Sequence, residues 1–241
     1  MEYSLLIILF VVSVLYASVG HGGASGYLAV LALYGFSPAW MKPTALLLNL
    51  FVAGIAFWQF YRNGYFKRDL FLLFAVTSIP AAFVGGMIDL DPVLYKKVLG
   101  VLLVFAVLRL SGIFGEPVDG QKDIHGPLAL IIGLVIGFFS GMIGIGGGII
   151  LSPVIMLLGW AKAKQTAAIS ALFIWINSLS GLAGSAVTGI SVGWEVMPYI
   201  AVTLIGGLLG GYMGSFKTSD RTLKYVLSAV LALASLKLII W

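Results

Sequence analysis

Residues 20–24 read "GHGGA" and residues 144–148 read "GIGGG". The first cluster interrupts an otherwise apolar chain, with Leu5 to Leu15 before it and Tyr27 to Leu33 after it. Within residues 18–26, "SVGHGGASG", lie four glycines and His21, one of only 2 histidines in the protein. Each glycine weakens a helix by about 1 kcal/mol, so crowded glycines break one.

The surroundings say what is being broken. Over 241 residues the chain is 61% hydrophobic and 10% charged, with a mean hydropathy of +1.09. A soluble domain carries about 25% charged residues. Asp, Glu, Lys and Arg are absent from 3–41, 70–88, 126–161, 165–194 and 196–216. A spanning helix needs about 20 apolar residues, so the composition implies an all-α polytopic membrane protein. The opening "MEYSLLIILF" has Glu2 in place of a basic n-region and reads as a retained first segment. Zero cysteines exclude disulfides, thiolate metal sites and dithiol relays. The net charge of +5 records loop orientation rather than nucleic-acid binding.

One linker, "SGIFGEPVDGQKDIHG" at 111–126, divides the chain near its middle. The halves correspond in order. The two Gly clusters match, and each leads to Gly plus an aromatic: "LYGFSPAWMKPTA" at 33–45, "LLGWAKAKQTAAISA" at 157–171. "IPAAFVGGMI" (79–88) then parallels "LIGGLLGGYMG" (204–214), and "YKKVLGVLLVFAVLRL" (95–110) parallels "RTLKYVLSAVLALASLKL" (221–238). Such duplication is a recurrent plan of secondary transporters. The expected organisation is a first transmembrane repeat at 1–110, a linker at 111–126 and a second repeat at 127–241. Each repeat is a Gly-broken segment (4–36, 127–160) followed by three helices: 43–61, 70–88, 94–110 and 166–187, 195–215, 222–240.

A broken segment drawn as one straight helix would extend about 48 Å, against a hydrocarbon core of about 30 Å. Basic residues favour the cytoplasmic side and arbitrate between crossing and turning back. With single crossings they divide six against eight. With hairpins, Lys42, Lys96, Lys97 and Lys237 face ten others across the membrane. The hairpin reading makes the halves inverted-topology repeats, with both termini outside and the two tips entering from opposite faces.

A helix start exposes unpaired N–H groups and a partial positive charge, which attract anions. Irregular backbone at membrane depth survives only in protein or beside a wet cavity. Gly20, Gly22 and Gly23, with Gly144, Gly146, Gly147 and Gly148, are therefore candidate substrate-binding residues. His21 joins them: intramembrane ionisable groups suggest function, and histidine titrates near neutral pH, so it is also the proton-coupling candidate. Its counterpart is Ile145. Thr44 and Asn49 in one half, Ser170 and Asn177 in the other, are further candidates. Gly133, Gly137 and Gly141, like Gly206, Gly210 and Gly214, recur every four residues and read as helix-packing contacts. His125 reads as a surface residue, and Trp40, Trp58, Trp160, Trp194 and Trp241 as an interfacial belt. Trp175 reads as either lining or packing.

Enzyme signatures fail. "GYMGSFKT" (211–218) has Phe216 where a phosphate loop needs glycine, and Ser25 and Ile149 end neither cluster as G-x-G-x-x-G. Ser140 in "GFFSG" with a histidine remains as a hydrolase alternative, and a passive anion channel as another.

The Gly-rich break opening each half, with "MKPTALLLNL" in the first and "AAISALFIWINSLSGLAG" in the second, resembles the TauE/SafE family of sulfite and organosulfonate exporters. The resemblance runs over essentially the whole chain. It implies a multi-pass permease of the cell inner membrane that moves sulfite or related sulfur-containing anions. No cofactor, metal or nucleic acid is expected, only a small anion and the bilayer; a homo-oligomer stays open.

Overall fold

The structure, a computed structural model, describes residues 2–18, 20–110, 122–190 and 192–216, with 232, 235, 236 and 239. Its described residues are helical, with α1 (Glu2–Ser18), α2 (Ala24–Leu33), α3 (Pro38–Arg62), α4 (Arg68–Met87) and α5 (Pro92–Leu110) in the first half. The second half holds α6 (Gly126–Ile143), α7 (Gly148–Leu157), α8 (Ala163–Val187) and α9 (Met197–Phe216), the last entered through a single 3-10 turn at Trp194–Val196. The helix expected at 222–240 lies outside the described residues apart from isolated positions. Among the described residues, five helices are long and apolar enough to cross a membrane.

Both Gly clusters do break their segments. At 10 residues each, α2 and α7 extend about 15 Å, half a hydrocarbon core. The chain turns back on itself at each break. Tyr34, just past α2, donates to Ser4 Oγ at the start of α1 over 2.9 Å. In the second half the Lys122 N–H, ahead of α6, reaches the Gly159 carbonyl beyond α7 at 2.8 Å.

Element lengths repeat between halves: α2 and α7 have 10 residues each, α3 and α8 25 each, α4 and α9 20 each. The stops repeat too. Gly35 and Gly159 adopt φ 81 and 69, and the aromatic residue after each bonds back to close its helix, Phe36 to Leu31 and Trp160 to Ile155. A left-handed glycine followed by this backward bond is the Schellman termination, which explains the Gly-plus-aromatic punctuation in both halves.

α3 and α8 lie antiparallel at the centre, with Lys42 and Ser185 meeting the same Gly86 carbonyl and Asn49 bonded to Ser178. Around them each hairpin packs on a helix of the other half, α1 on α9 and α6 on α4. Glycine makes both seams close. A Cβ at Gly133, Gly137 or Gly141 would run into the backbone of Phe74, Ser78 or Ala82 in α4. One at Gly206 or Gly210 would meet Phe10 or Val14 in α1. The packing role expected for these glycines is what the structure gives them; the side of Gly214 is outside the described set.

Helix boundaries differ from the expected ones where a cap sets them. α3 begins at Pro38 rather than 43, since Ser37 is extended and proline suits a first turn. Pro43 therefore sits inside the helix. Trp160, expected at the interface, is 4% exposed and packs against Phe74, because its Schellman turn folds it inward. Trp175 packs on Gly54.

Candidate substrate site at the helix breaks

Each tip is assembled from a helix end, a short glycine turn and a helix start. α1 closes through Gly20 at φ 77, with the His21 N–H returned to the Tyr16 carbonyl at 2.9 Å. α6 closes through Gly144 at φ 90, bonded to the Ser140 carbonyl at 2.9 Å. Tyr95 of α5 donates to the next orphaned carbonyl, Ile143, at 2.7 Å. Gly23 (φ 94) and Gly147 (φ 78) then serve as N-caps without side chains, in a left-handed conformation that a residue with a Cβ adopts at a cost.

The two tips share their neighbours. A Cβ on Gly22 would stand 2.6 Å from Asn49 Oδ1 and 2.9 Å from Ile174 Cγ2; one on Gly146 would stand 2.6 Å from Asn49 Nδ2 and 2.9 Å from the same Ile174 carbon. Asn49 joins them. Its Oδ1 accepts the Ala24 N–H of α2 at 3.1 Å, and its Nδ2 donates to Ser178 Oγ of α8 at 3.2 Å. The N–H groups of Gly22, Gly23, Gly146, Gly147 and Gly148 have no acceptor among the described residues.

His21, 6% exposed, crosses from the first tip to the second half: its Nε2 lies 3.0 Å from Ser152 Oγ in α7. Ser152 in turn is 2.8 Å from Ser170 Oγ and donates toward the Gly148 carbonyl at 2.9 Å. Ser152 was missed in the sequence because a serine inside an apolar half-helix carries no motif. Lys42, 4% exposed, was counted as a loop charge but is buried beside Gly144, its ammonium on the Gly86 and Ile88 carbonyls at 2.7 and 3.0 Å. Those carbonyls end α4, where the dipole favours a cation.

Other candidates stand apart. Thr44 and Asn177 are fully buried, and no hydrogen bond connects either to a tip. Asn177 Nδ2 donates to Phe173 of its own helix, leaving Oδ1 unpartnered, as is Thr44 Oγ1. Asn49 and Asn177, candidates from the two halves, are not counterparts in register: laying α8 on α3 end to end sets Ile174 opposite Asn49. Ser140 Oγ has no partner, so no serine–histidine dyad forms there. His125 is exposed and caps α6, its Nδ1 accepting the Leu128 N–H at 3.3 Å. The tips are packed shut, with Gly20 to Gly23 and Gly144 to Gly148 all buried.

Apolar helices of spanning length around a buried polar centre define a multi-pass membrane protein, a transporter rather than an enzyme by its relatives. The model of the family described as sulfite exporter TauE/SafE matches residues 5–238. A Sinorhizobium fredii protein described as a probable membrane transporter protein is 37% identical over 246 residues, 98% of this chain and 97% of its own. One of the same description from Methanocaldococcus jannaschii is 26% identical, covering 74% of this chain and 70% of that one. A third, from Bacillus subtilis, is 32% identical over 80 residues, 33% of this chain and 28% of that one. No solved structure matches the chain. The chain belongs to the TauE/SafE sulfite exporter family.

Proposed function

We propose that the protein is a secondary transporter of sulfite or related sulfur-containing anions, built from two inverted-topology repeats whose tips hold the substrate between them. The observation that carries this reading is the convergence of Gly22 and Gly146 on Asn49 and Ile174 with their amides unbonded. Two helix starts aimed at one place suit a small oxyanion. Opposite entry of the tips is supported by contact pairs: Gly20 faces Phe60 and Ala167, at one end of the α3–α8 pair, while Gly144 faces Lys42 at the other. Burial of Lys42 removes it from the outside loops and sharpens the charge bias.

Closed tips favour alternating access over a standing pore. The packing also favours a division of moving parts other than the two sequence halves, because each hairpin is seamed to the opposite half. The body that moves is α1 with α9, against a frame of α3, α8, α4 and α6, since α4 meets α8 backbone to backbone at Gly86 and Gly184. His21 carries the coupling proton, with Ser152 and Ser170 as its hydrogen-bond relay.

Flux tests the reading. In proteoliposomes an imposed pH gradient is expected to drive sulfite above its equilibrium level. Flux that only ever runs down the sulfite gradient would establish a channel instead.

A further inference from the structure

At the base of the first hairpin, away from the tips, lies a cavity of about 510 Å³. Leu5, Tyr34, Phe36, Trp40, Tyr199 and Glu195 line it. Four of these are aromatic, drawn from the α2–α3 turn, α3 and α9. Phe36 and Trp40 stack at 4.7 Å, and Tyr199 meets Trp40 edge-on at 5.6 Å. Glu195 accepts from Trp40 Nε1 at 3.4 Å and has no cationic partner among the described residues. The counterpart cavity at the base of the second hairpin, about 470 Å³, is lined by Lys122 and His125 besides Asp123. Position in the fold therefore does not dictate the charge of the first.

Aromatic faces carry negative potential and attract cations, quaternary ammonium groups most typically. A carboxylate at the rim adds a Coulomb partner in a partly dry site. Its place at the start of α9 accounts for an acid there, and four aromatic side chains line the same cavity. Near the lining residues in sequence, α1 and α9 carry exposed apolar side chains: Tyr3 is 82% exposed, Ile7 63% and Met197 46%. We propose that this cage binds the ammonium headgroup of a phospholipid, choline or ethanolamine, at that face of the membrane. Because the cage spans α1, the α2–α3 turn, α3 and α9, a bound headgroup ties the first hairpin to the second half.

The test uses purified full-length protein in nanodiscs of phosphatidylglycerol, which lacks an ammonium group, with choline as the probe. Choline is expected to raise the melting temperature, while its uncharged isostere 3,3-dimethylbutanol leaves it unchanged. Glu195→Gln is expected to weaken choline binding by about tenfold, and Trp40→Leu likewise. Exchanging the nanodisc lipid for phosphatidylcholine is expected to abolish the response to free choline, since lipid already fills the site. Equal responses to choline and dimethylbutanol, or wild-type affinity in Glu195→Gln, would overturn the proposal. A choline response that persists undiminished in phosphatidylcholine would overturn the lipid assignment.

Discussion

Asn49 is the residue on which both tips depend. It replaces a side-chain cap for α2, reaches α8, and occupies the space a Cβ on either Gly22 or Gly146 would need. Gly22→Ala is therefore expected to dislodge the Asn49 amide and abolish sulfite uptake. Gly146→Ala adds backbone strain at φ 77, costing about 1–3 kcal/mol, readable as a lower melting temperature. The glycines and Asn49, which the structure brings together, stand out in the sequence because each is costly where it stands. Ser152 was not, since nothing local marks it. Its partner is His21, 131 positions away. End-to-end pairing of the halves sets Ile145, Leu28 and Ala45 opposite His21, Ser152 and Ser170, so the polar relay exists on one side only. His21→Ala is expected to lose pH-driven accumulation yet keep sulfite exchange, measured as counterflow in proteoliposomes. Loss of both would assign the imidazole to binding, and loss of neither would remove it from the mechanism.

Among elements, the seams are the most exacting. On α6 and α9 the glycines let whole backbones approach, the usual basis of helix association without a hydrophobic driving force. Gly141→Leu is expected to force α6 from α4 and destabilise the fold by about 1–3 kcal/mol or more, seen as a fall in melting temperature. An alanine at Gly35 or Gly64, where a Cβ would meet open space, carries only the strain of a positive φ. Four-residue glycine spacing announced these seams in the sequence. Which helix each would meet was not announced, because a stripe of small residues specifies closeness and not a partner. The helix starts were misplaced for a similar reason: hydropathy fades at a membrane surface, whereas the Ser37 and Pro38 cap is local and lies outside the apolar run.

For the molecule as a whole, the correspondence of the halves was readable and their interlocking was not. Helix lengths and glycine stops recur in the same order in both halves. That α1 rests on α9 and α6 on α4 follows from how two such units pack. This division is open to a direct test, since the chain has no cysteine and an introduced pair forms the sole disulfide. One cysteine pair across the α1–α9 seam, and separately one across the α4–α6 seam, each placed beside the glycines rather than at them, would lock the two seams. Transport is expected to survive both locks, since each seam lies within one body. Abolition by oxidation, restored by reduction, would instead show the sequence halves rocking apart.

The claim beneath all of this is that paired glycine turns supply amide donors to an anion. Calorimetric titration of sulfite into purified protein tests it most directly, in the wild type, in Gly22→Ala and Gly146→Ala, and in the seam variant Gly133→Ala as a control for lost stability. The account predicts saturable binding in the wild type and the seam variant, and none in either tip variant. Undiminished affinity in both tip variants, or no heat from sulfite, thiosulfate or an organosulfonate in the wild type, would contradict it.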